Sequence, residues 1–275
     1  MTLTTETLDW GRLWREDRPD WSKTNDREFW NRRAPSFANH VRADDYDDYV
    51  DPFLRILNAS ADWSVLDVGC GAGTLAHPLA KTVRRVTAVD FSPAMLELLQ
   101  ARNQAEGIGN IETRLASWDD DWSALGIEPH DAAIASRSLI SENPRVLLEK
   151  LMSFAKRRVC ISCAAGDGPY DRRVFAAVGR KLDPNPDYLY IYNLLHQMGI
   201  YANISMIEKR VPSFSGEAEA VESVKWMLDA MTPGEEGDLR RFVASHLIAE
   251  GARWRFDYPK PVRWAVIWWD IPPCR

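Results

Sequence analysis

The residues with the clearest chemical potential in this 275-residue chain lie in one stretch, Val65-Leu-Asp-Val-Gly-Cys-Gly-Ala-Gly-Thr74. Gly69, Gly71 and Gly73 follow a short apolar run. Glycine lets a backbone turn sharply and leaves room for a ligand against the amides that open the next helix. Gly71-x-Gly73-x-x-Ala76 fits a dinucleotide fingerprint, and Asp90 stands at the spacing where a carboxylate would meet a ribose. Asp67 separates two kinds of ligand. Beside a pyrophosphate it would put two anions in one small site, whereas an ammonium or sulfonium group would be its partner. A third use for the same carboxylate is to cap the loop.

These residues need a scaffold, and the chain supplies the pattern of one. From Trp63 onward, short apolar runs alternate with helical stretches, which signals βαβ units and a parallel sheet. Residues 64–68, 85–90, 110–115, 131–136 and 158–164 read as strands, with a helix over 145–155 before the last of them. Ser92 and Pro93 have the types preferred at an N-cap and at the first helical position. Residues 10–60 read as two or three helices, one over 26–34 that breaks before Pro35 and another over about 46–57. Towards the C-terminus, strands are expected over 203–211 and 262–269, with helices over 217–231 and 235–250 between them. Val221, Val224, Met227, Leu228 and Met231 give the first of those helices an apolar face, which either packs on the sheet or forms a mobile lid.

Composition narrows the classes. With 34 basic and 40 acidic side chains the net charge is −6, and no basic block exists to grip nucleic-acid phosphates. No apolar run reaches the roughly 18 residues that would cross a bilayer, and the polar start, residues 1–9, has no secretory signal character. Cys70, Cys160, Cys163 and Cys274 are too few and scattered for a disulfide framework, which favours the reducing cytoplasm. Cys160 and Cys163 fall three apart on an expected strand, so they face opposite sides and cannot share a metal. His77, His130 and His246 have no ligand-spaced partners, so no metal is expected. The twelve tryptophans stand out. Trp268 and Trp269 must face opposite sides of their strand, whereas Trp14, Trp21 and Trp30 are candidates for contacts to a ligand.

Residues 65–73 resemble the signature loop of class I S-adenosylmethionine-dependent methyltransferases. Ala88-Val-Asp-Phe-Ser-Pro-Ala-Met-Leu-Glu97 resembles that family's second signature, at the expected distance. Residues 30–37, Trp-Asn-Arg-Arg-Ala-Pro-Ser-Phe, are similar to a stretch that precedes the domain in small-molecule members. The resemblance implies an α/β fold: a doubly wound, Rossmann-like, seven-stranded, mostly parallel sheet with the last strand antiparallel. Residues 1–60 would form an N-terminal helical cap and 61–275 the methyltransferase domain, with a helical insertion at about 212–260. The cofactor would be S-adenosyl-L-methionine. Asp67, Val68, Gly69, Cys70, Gly71 and Gly73 would hold its methionine part, and Asp90 its ribose hydroxyls. Phe91 and Met95 would pack on the adenine, Ser117 and Trp118 would meet its edge with Asp119 in reserve, and Ser136 and Trp30 would complete the pocket.

Methyl transfer from a sulfonium is an in-line displacement, so alignment and desolvation can supply most of the acceleration. A base is needed only where the acceptor must lose a proton. His40 and His196 are the candidates, the latter on a helical face shared with Tyr188 and Tyr192 that can also be a packing surface. The segment 136–140, Ser-Arg-Ser-Leu-Ile, lacks the Asn/Asp-Pro-Pro-aromatic pattern of nucleobase and glutamine methyltransferases, which points to a small-molecule acceptor. Arg137 can meet an anionic substrate or pair with Glu142. The expected protein is a monomer or homodimer with no nucleic-acid or membrane partner. The rival functions are a nicotinamide-dependent oxidoreductase and a non-catalytic protein that retains the cofactor pocket.

Overall fold

The computed structural model describes residues 4–17, 26–40, 46–183, 186–209, 212–228 and 230–272, the side chains of 36–40 and 46–47 excepted. The N-terminal part holds α1 (Trp10–Glu16), α2 (Arg27–His40), a π-helical turn (Tyr46–Val50) and α3 (Asp51–Leu57). The alternating part runs β1 (Ser64–Val68), α4 (Ala76–Ala80), β2 (Arg85–Asp90), α5 (Pro93–Glu106), β3 (Ile111–Leu115), β4 (His130–Ser136), α6 (Pro144–Ser153) and β5 (Ala155–Ala165). The rest comprises α7 (Arg172–Ala177), α8 (Tyr188–Gln197), β6 (Asn203–Lys209), α9 (Glu217–Lys225), α10 (Pro233–His246), β7 (Leu247–Glu250), β8 (Arg253–Phe256) and β9 (Val262–Asp270).

Seven strands form one sheet in the order β3-β2-β1-β4-β5-β9-β6. Strand β9 is antiparallel to both its neighbours, and the pairings among the first five strands are parallel. Every residue of β1 is buried, as a central strand covered on both faces requires. One face packs Leu66, Val68, Ala133, Val159, Ile161, Cys163 and Trp269 under α1, α6 and α8. The other packs Val65, Val86, Ala88, Ile134, Cys160 and Val266 under α3, α4 and α5. The two strand cysteines thus lie on opposite faces, and so do Trp269 and Trp268.

Four local expectations need correction. The helix expected to stop before Pro35 continues through it to His40. Proline removes the N–H that would serve the Asn31 carbonyl, and tertiary contacts hold the helix instead. Trp30 and Ala34 pack on Ala72 and Met95, and the Asn31 side chain accepts a hydrogen bond from Ser92 Oγ at 2.7 Å. The helix expected over 145–155 ends at Ser153, because Ala155 already pairs with His130 across a bulge. The helix expected over 217–231 ends at Lys225. Finally, the helix expected to run to Glu250 ends at His246, and the chain enters the hairpin β7–β8, turning at Gly251 with φ +63°. The alternation of Arg253-Trp-Arg-Phe256 suits a strand pair better than another helical turn.

The apolar face of α9 does not rest on the sheet. Val221, Val224, Met227 and Leu228 join Val174, Phe214, Leu239, Val243 and Phe256 in a separate small core. The insertion therefore recruits α7 and packs on itself.

Candidate functional site

The loop 69–75 leaves β1 next to the point where the connections diverge, β1 leading to β2 on one side and β4 to β5 on the other. Open α/β sheets bind ligands in the crevice at such a point, beyond the carboxyl ends of the strands. The loop folds back onto β2: the N–H groups of Gly69 and Cys70 both donate to the Val89 carbonyl, at 2.8 and 3.0 Å. Asp90 closes β2 and accepts from the Gly71 N–H at 2.8 Å through one oxygen and from the Ser92 N–H at 2.9 Å through the other. Burial raises the Asp90 carboxyl above its ordinary range, while the N–H groups of Ser92, Gly71 and Phe91 pull it back.

Two glycines explain the loop's shape. Gly69 has φ +69°, and a Cβ there would lie 2.3 Å from Ser138 Cβ, so the position admits no side chain. Gly71 has φ +55°, yet a Cβ there would meet nothing within 4 Å. One glycine is demanded by a close approach; the other opens onto space a ligand can use.

Asp67 lies beneath this loop with 2% of its surface exposed. Its neighbours in the sheet are Ala88 and Ile134, so strand packing gives the carboxylate no partner. The Ala76 N–H reaches it, but Oδ2 is buried without a hydrogen-bond partner. Burial first, and then the nearby Asp90, raise its pKa to about 7, against the opposing pull of the Ala76 N–H and Arg137. A buried, unpaired carboxyl oxygen is costly. It becomes favourable when a cation reaches it.

The other expected residues surround the loop in different ways. Trp30 and Ala34 of α2 cover Ala72 and Met95, and Phe91 is half-buried after β2. Ser117 is tied to its own turn, its N–H and Oγ both donating to Asp120 at 2.7 and 3.0 Å. The Trp118 indole N–H donates to the Ser138 carbonyl at 2.9 Å, and Asp119 is exposed. Ser136 Oγ lies 2.6 Å from the Tyr49 hydroxyl, which is also 2.6 Å from Ser162 Oγ. Tyr49 and Ser162 were not anticipated. Their partners lie 87 and 113 residues away from Tyr49, and no local spacing announces such a contact. Burial raises the Tyr49 pKa, with Arg137, Ser136 and Ser162 opposing, so the phenol stays neutral.

Some candidates fall away from the loop. His196 is exposed in the last turn of α8, its ring 5.5 Å from that of Tyr201. The start of α8 is at the site edge, where Asp187 accepts from the Gly166 N–H at 2.7 Å. The helix then runs down to the strands' starting edge, and His196 goes with it. Tyr192 donates to the Ala202 carbonyl, and Tyr188 and Tyr192 are both half-buried against the core, so this face packs. Trp14 is a core residue with 4% exposure, and its indole N–H donates to the Ser141 carbonyl at 2.8 Å. The His40 side chain, Trp21 and Cys274 lie outside the described residues. Among the described residues no cluster of His, Cys, Asp or Glu could hold a metal.

A doubly wound sheet with a glycine loop at its switch point and an acid closing the second strand defines a Rossmann-like cofactor-binding domain. Comparison with known proteins sharpens that class. Residues 65–158 match a family model described as a methyltransferase domain. An uncharacterized protein of Haemophilus influenzae is 32% identical over 249 residues, 88% of each chain. A demethylmenaquinone methyltransferase of Tropheryma whipplei is 40% identical over 65 residues, 24% of this chain and 26% of that one. The fold is similar to that of a proposed methyltransferase from Bacillus halodurans, with a TM-score of 0.54 at 13% identity over 80% of this chain and 96% of the other. The chain thus carries a methyltransferase domain of the class I, S-adenosylmethionine-dependent kind.

Proposed function

We propose that the enzyme transfers a methyl group from S-adenosylmethionine to a small-molecule acceptor, releasing S-adenosylhomocysteine. The observation that carries this reading is Asp67, a buried carboxylate whose free oxygen lies beneath an open glycine loop and calls for a cation. The sulfonium cofactor supplies an activated methyl group and, at its methionine end, an ammonium. Asp67 receives that ammonium, with Val68, Gly69, Cys70, Gly71 and Gly73 forming the wall beside it. Asp90 accepts hydrogen bonds from the ribose hydroxyls, since an ionised carboxylate is an acceptor only. Phe91 and Met95 pack on the adenine, with Trp30 closing over Met95. Ser117 and Trp118 lie along the adenine edge, and Ser136 faces the methionine part.

The acceptor is proposed to enter over the ends of β4 and β5, under a roof made by α2 and the inserted lobe of residues 212–260. In domain terms, residues 1–60 act as a cap on a methyltransferase domain spanning 61–275. Alignment and exclusion of water carry the rate, in keeping with an in-line displacement. The setting is proposed to be the cytoplasm. No described helix is long and apolar enough to cross a membrane. Calorimetry with S-adenosylmethionine and S-adenosylhomocysteine tests the assignment: micromolar binding of both is expected. A folded protein that binds neither at sub-millimolar levels would sink it.

A further inference from the structure

Arg137, the residue immediately after β4, adopts φ +58°, in the left-handed region that residues with a Cβ avoid. Among the described residues one other non-glycine, Asn58, has positive φ, and it is an ordinary helix C-cap. Arg137 has no such excuse. Its N–H donates to both the carbonyl and the Oγ of Ser162, each at 3.1 Å, which pins the strained backbone. The strain turns the side chain onto an aromatic shelf: the guanidinium carbon lies 4.3 Å from the centre of the Tyr49 ring and 5.5 Å from that of Trp264.

This cation lacks an anion. Arg137 is half-buried, and among the described residues it forms no ion pair; Glu142, its sequence-neighbour candidate, is exposed and unpaired with it. The shelf also carries a donor without an acceptor, because the Trp264 indole N–H is buried with no hydrogen-bond partner. Tyr49 is already engaged by Ser136 and Ser162. Asp67, which feels the charge of Arg137, and Asp90 are suited to the cationic and hydroxyl groups of the methyl donor. Two acids thus stand at the glycine loop, and beside β4 and β5 stands one guanidinium that has no ion-pair partner among the described residues.

We propose that Arg137 receives a carboxylate of the methyl acceptor, so that the enzyme's substrate is a small organic acid. This rests on the methyltransferase reading and adds the substrate class to it. A guanidinium held against the Tyr49 ring and close to Trp264 can present its free N–H groups as a fork, and a carboxylate matches that fork with two hydrogen bonds. Trp264 supplies a further donor on the same shelf. The strained backbone then has a use, since it holds the fork in place before substrate arrives.

The test uses protein saturated with S-adenosylhomocysteine and titrated with benzoate or with benzamide, its neutral analogue, by calorimetry. Benzoate is expected to bind at least tenfold more tightly than benzamide. Arg137→Gln should erase that preference while S-adenosylhomocysteine affinity stays within twofold, and Arg137→Lys should restore only part of it. Equal affinity for the two probes, or no binding of either, overturns the proposal. So does a tenfold loss of S-adenosylhomocysteine affinity in Arg137→Gln, because the arginine would then serve the cofactor's own carboxylate. If the unaltered protein fails to bind S-adenosylhomocysteine at all, the failure lies in the function reading beneath it.

Discussion

Strands β1, β2 and β4 begin at one edge of the sheet and end at another, and the carboxylates Asp131 and Asp67, one at each edge, are treated in opposite ways. At the starting edge, Asp131 accepts from the N–H and Oγ of Ser64, at 2.8 and 2.9 Å, and from Arg157 at 3.1 Å. His130 meets Thr87 Oγ1 at 2.7 Å and the Glu128 carbonyl at 2.6 Å. Partial burial pushes the Asp131 carboxyl up, but Ser64 and Arg157 more than offset it, and its pKa is lowered. At the finishing edge Asp67 is buried with a free oxygen and a pKa near 7. A carboxylate in the same sheet can therefore be a fastener or a vacancy for a cation. What decides is whether the chain itself provides the partners. The starting edge is built for stability, and the finishing edge gives up stability to wait for a ligand.

The largest expected effect separates the two edges outright. Asp90→Ala removes the proposed acceptor for the ribose hydroxyls and frees the Gly71 amide, so S-adenosylhomocysteine affinity should fall about a hundredfold or more. Asp131→Ala should do the reverse: destabilise by about 2 kcal/mol through lost hydrogen bonds, with affinity unchanged. Calorimetry and denaturant unfolding on both variants would measure this. If Asp131→Ala weakened binding as much as Asp90→Ala, the division between edges would not stand.

Asp67→Asn sharpens the point because it should improve one property and damage another. In the folded protein its pKa is raised from 3.8 to about 7. Below about pH 4 the carboxyl is protonated in both folded and unfolded chains and costs nothing. Between about pH 4 and 7 the folded chain holds a proton that the unfolded chain has lost, so stability falls as pH rises. Above about pH 7 the cost is complete, on the order of 4 kcal/mol. The amide should therefore stabilise the ligand-free protein at pH 8 by up to that amount and do little at pH 4. The same change should weaken S-adenosylhomocysteine binding about tenfold or more, since the ammonium loses its counter-charge.

A milder effect needs no substitution. An ammonium pairs with Asp67 only when the carboxyl is ionised, so S-adenosylhomocysteine affinity should rise about tenfold between pH 6 and pH 7.5 and then level off. Proton release on binding at pH 6, read from calorimetry in buffers of different ionisation enthalpy, checks the same coupling. A flat profile would mean that Asp67 is not the ammonium's partner.

Much of this was legible in the sequence, for identifiable reasons. The central parallel strands carry short apolar runs such as Ala132–Ala135 and Val159–Ile161, and the loop's three glycines and two acids sit within 24 residues of Asp67. Local spacing carries local chemistry. The hairpin β7–β8 was hidden because Ala249 and Glu250 favour a helix while pairing with distant residues decides otherwise. The Tyr49–Ser136–Ser162 network was hidden because it joins three segments only in space. The strain at Arg137 could not be read either, since nothing in its neighbours' types demands a positive φ. His196 misled because a helical face bearing tyrosines and a histidine looks alike whether it packs or catalyses.

That histidine gives the smallest expected effect. It is exposed at the starting edge of β6, with its ring against Tyr201, itself 82% exposed. Truncation there removes no core contact and no buried hydrogen bond, so His196→Ala should shift stability by less than about 0.5 kcal/mol. S-adenosylhomocysteine affinity should stay within twofold of the unaltered protein's. The comparison with Asp67 is direct, because both side chains are ionisable but only one lies under the loop. A measured tenfold fall in affinity for His196→Ala would show the two edges to be coupled through α8, and the assignment of ligand binding to one edge alone would fail.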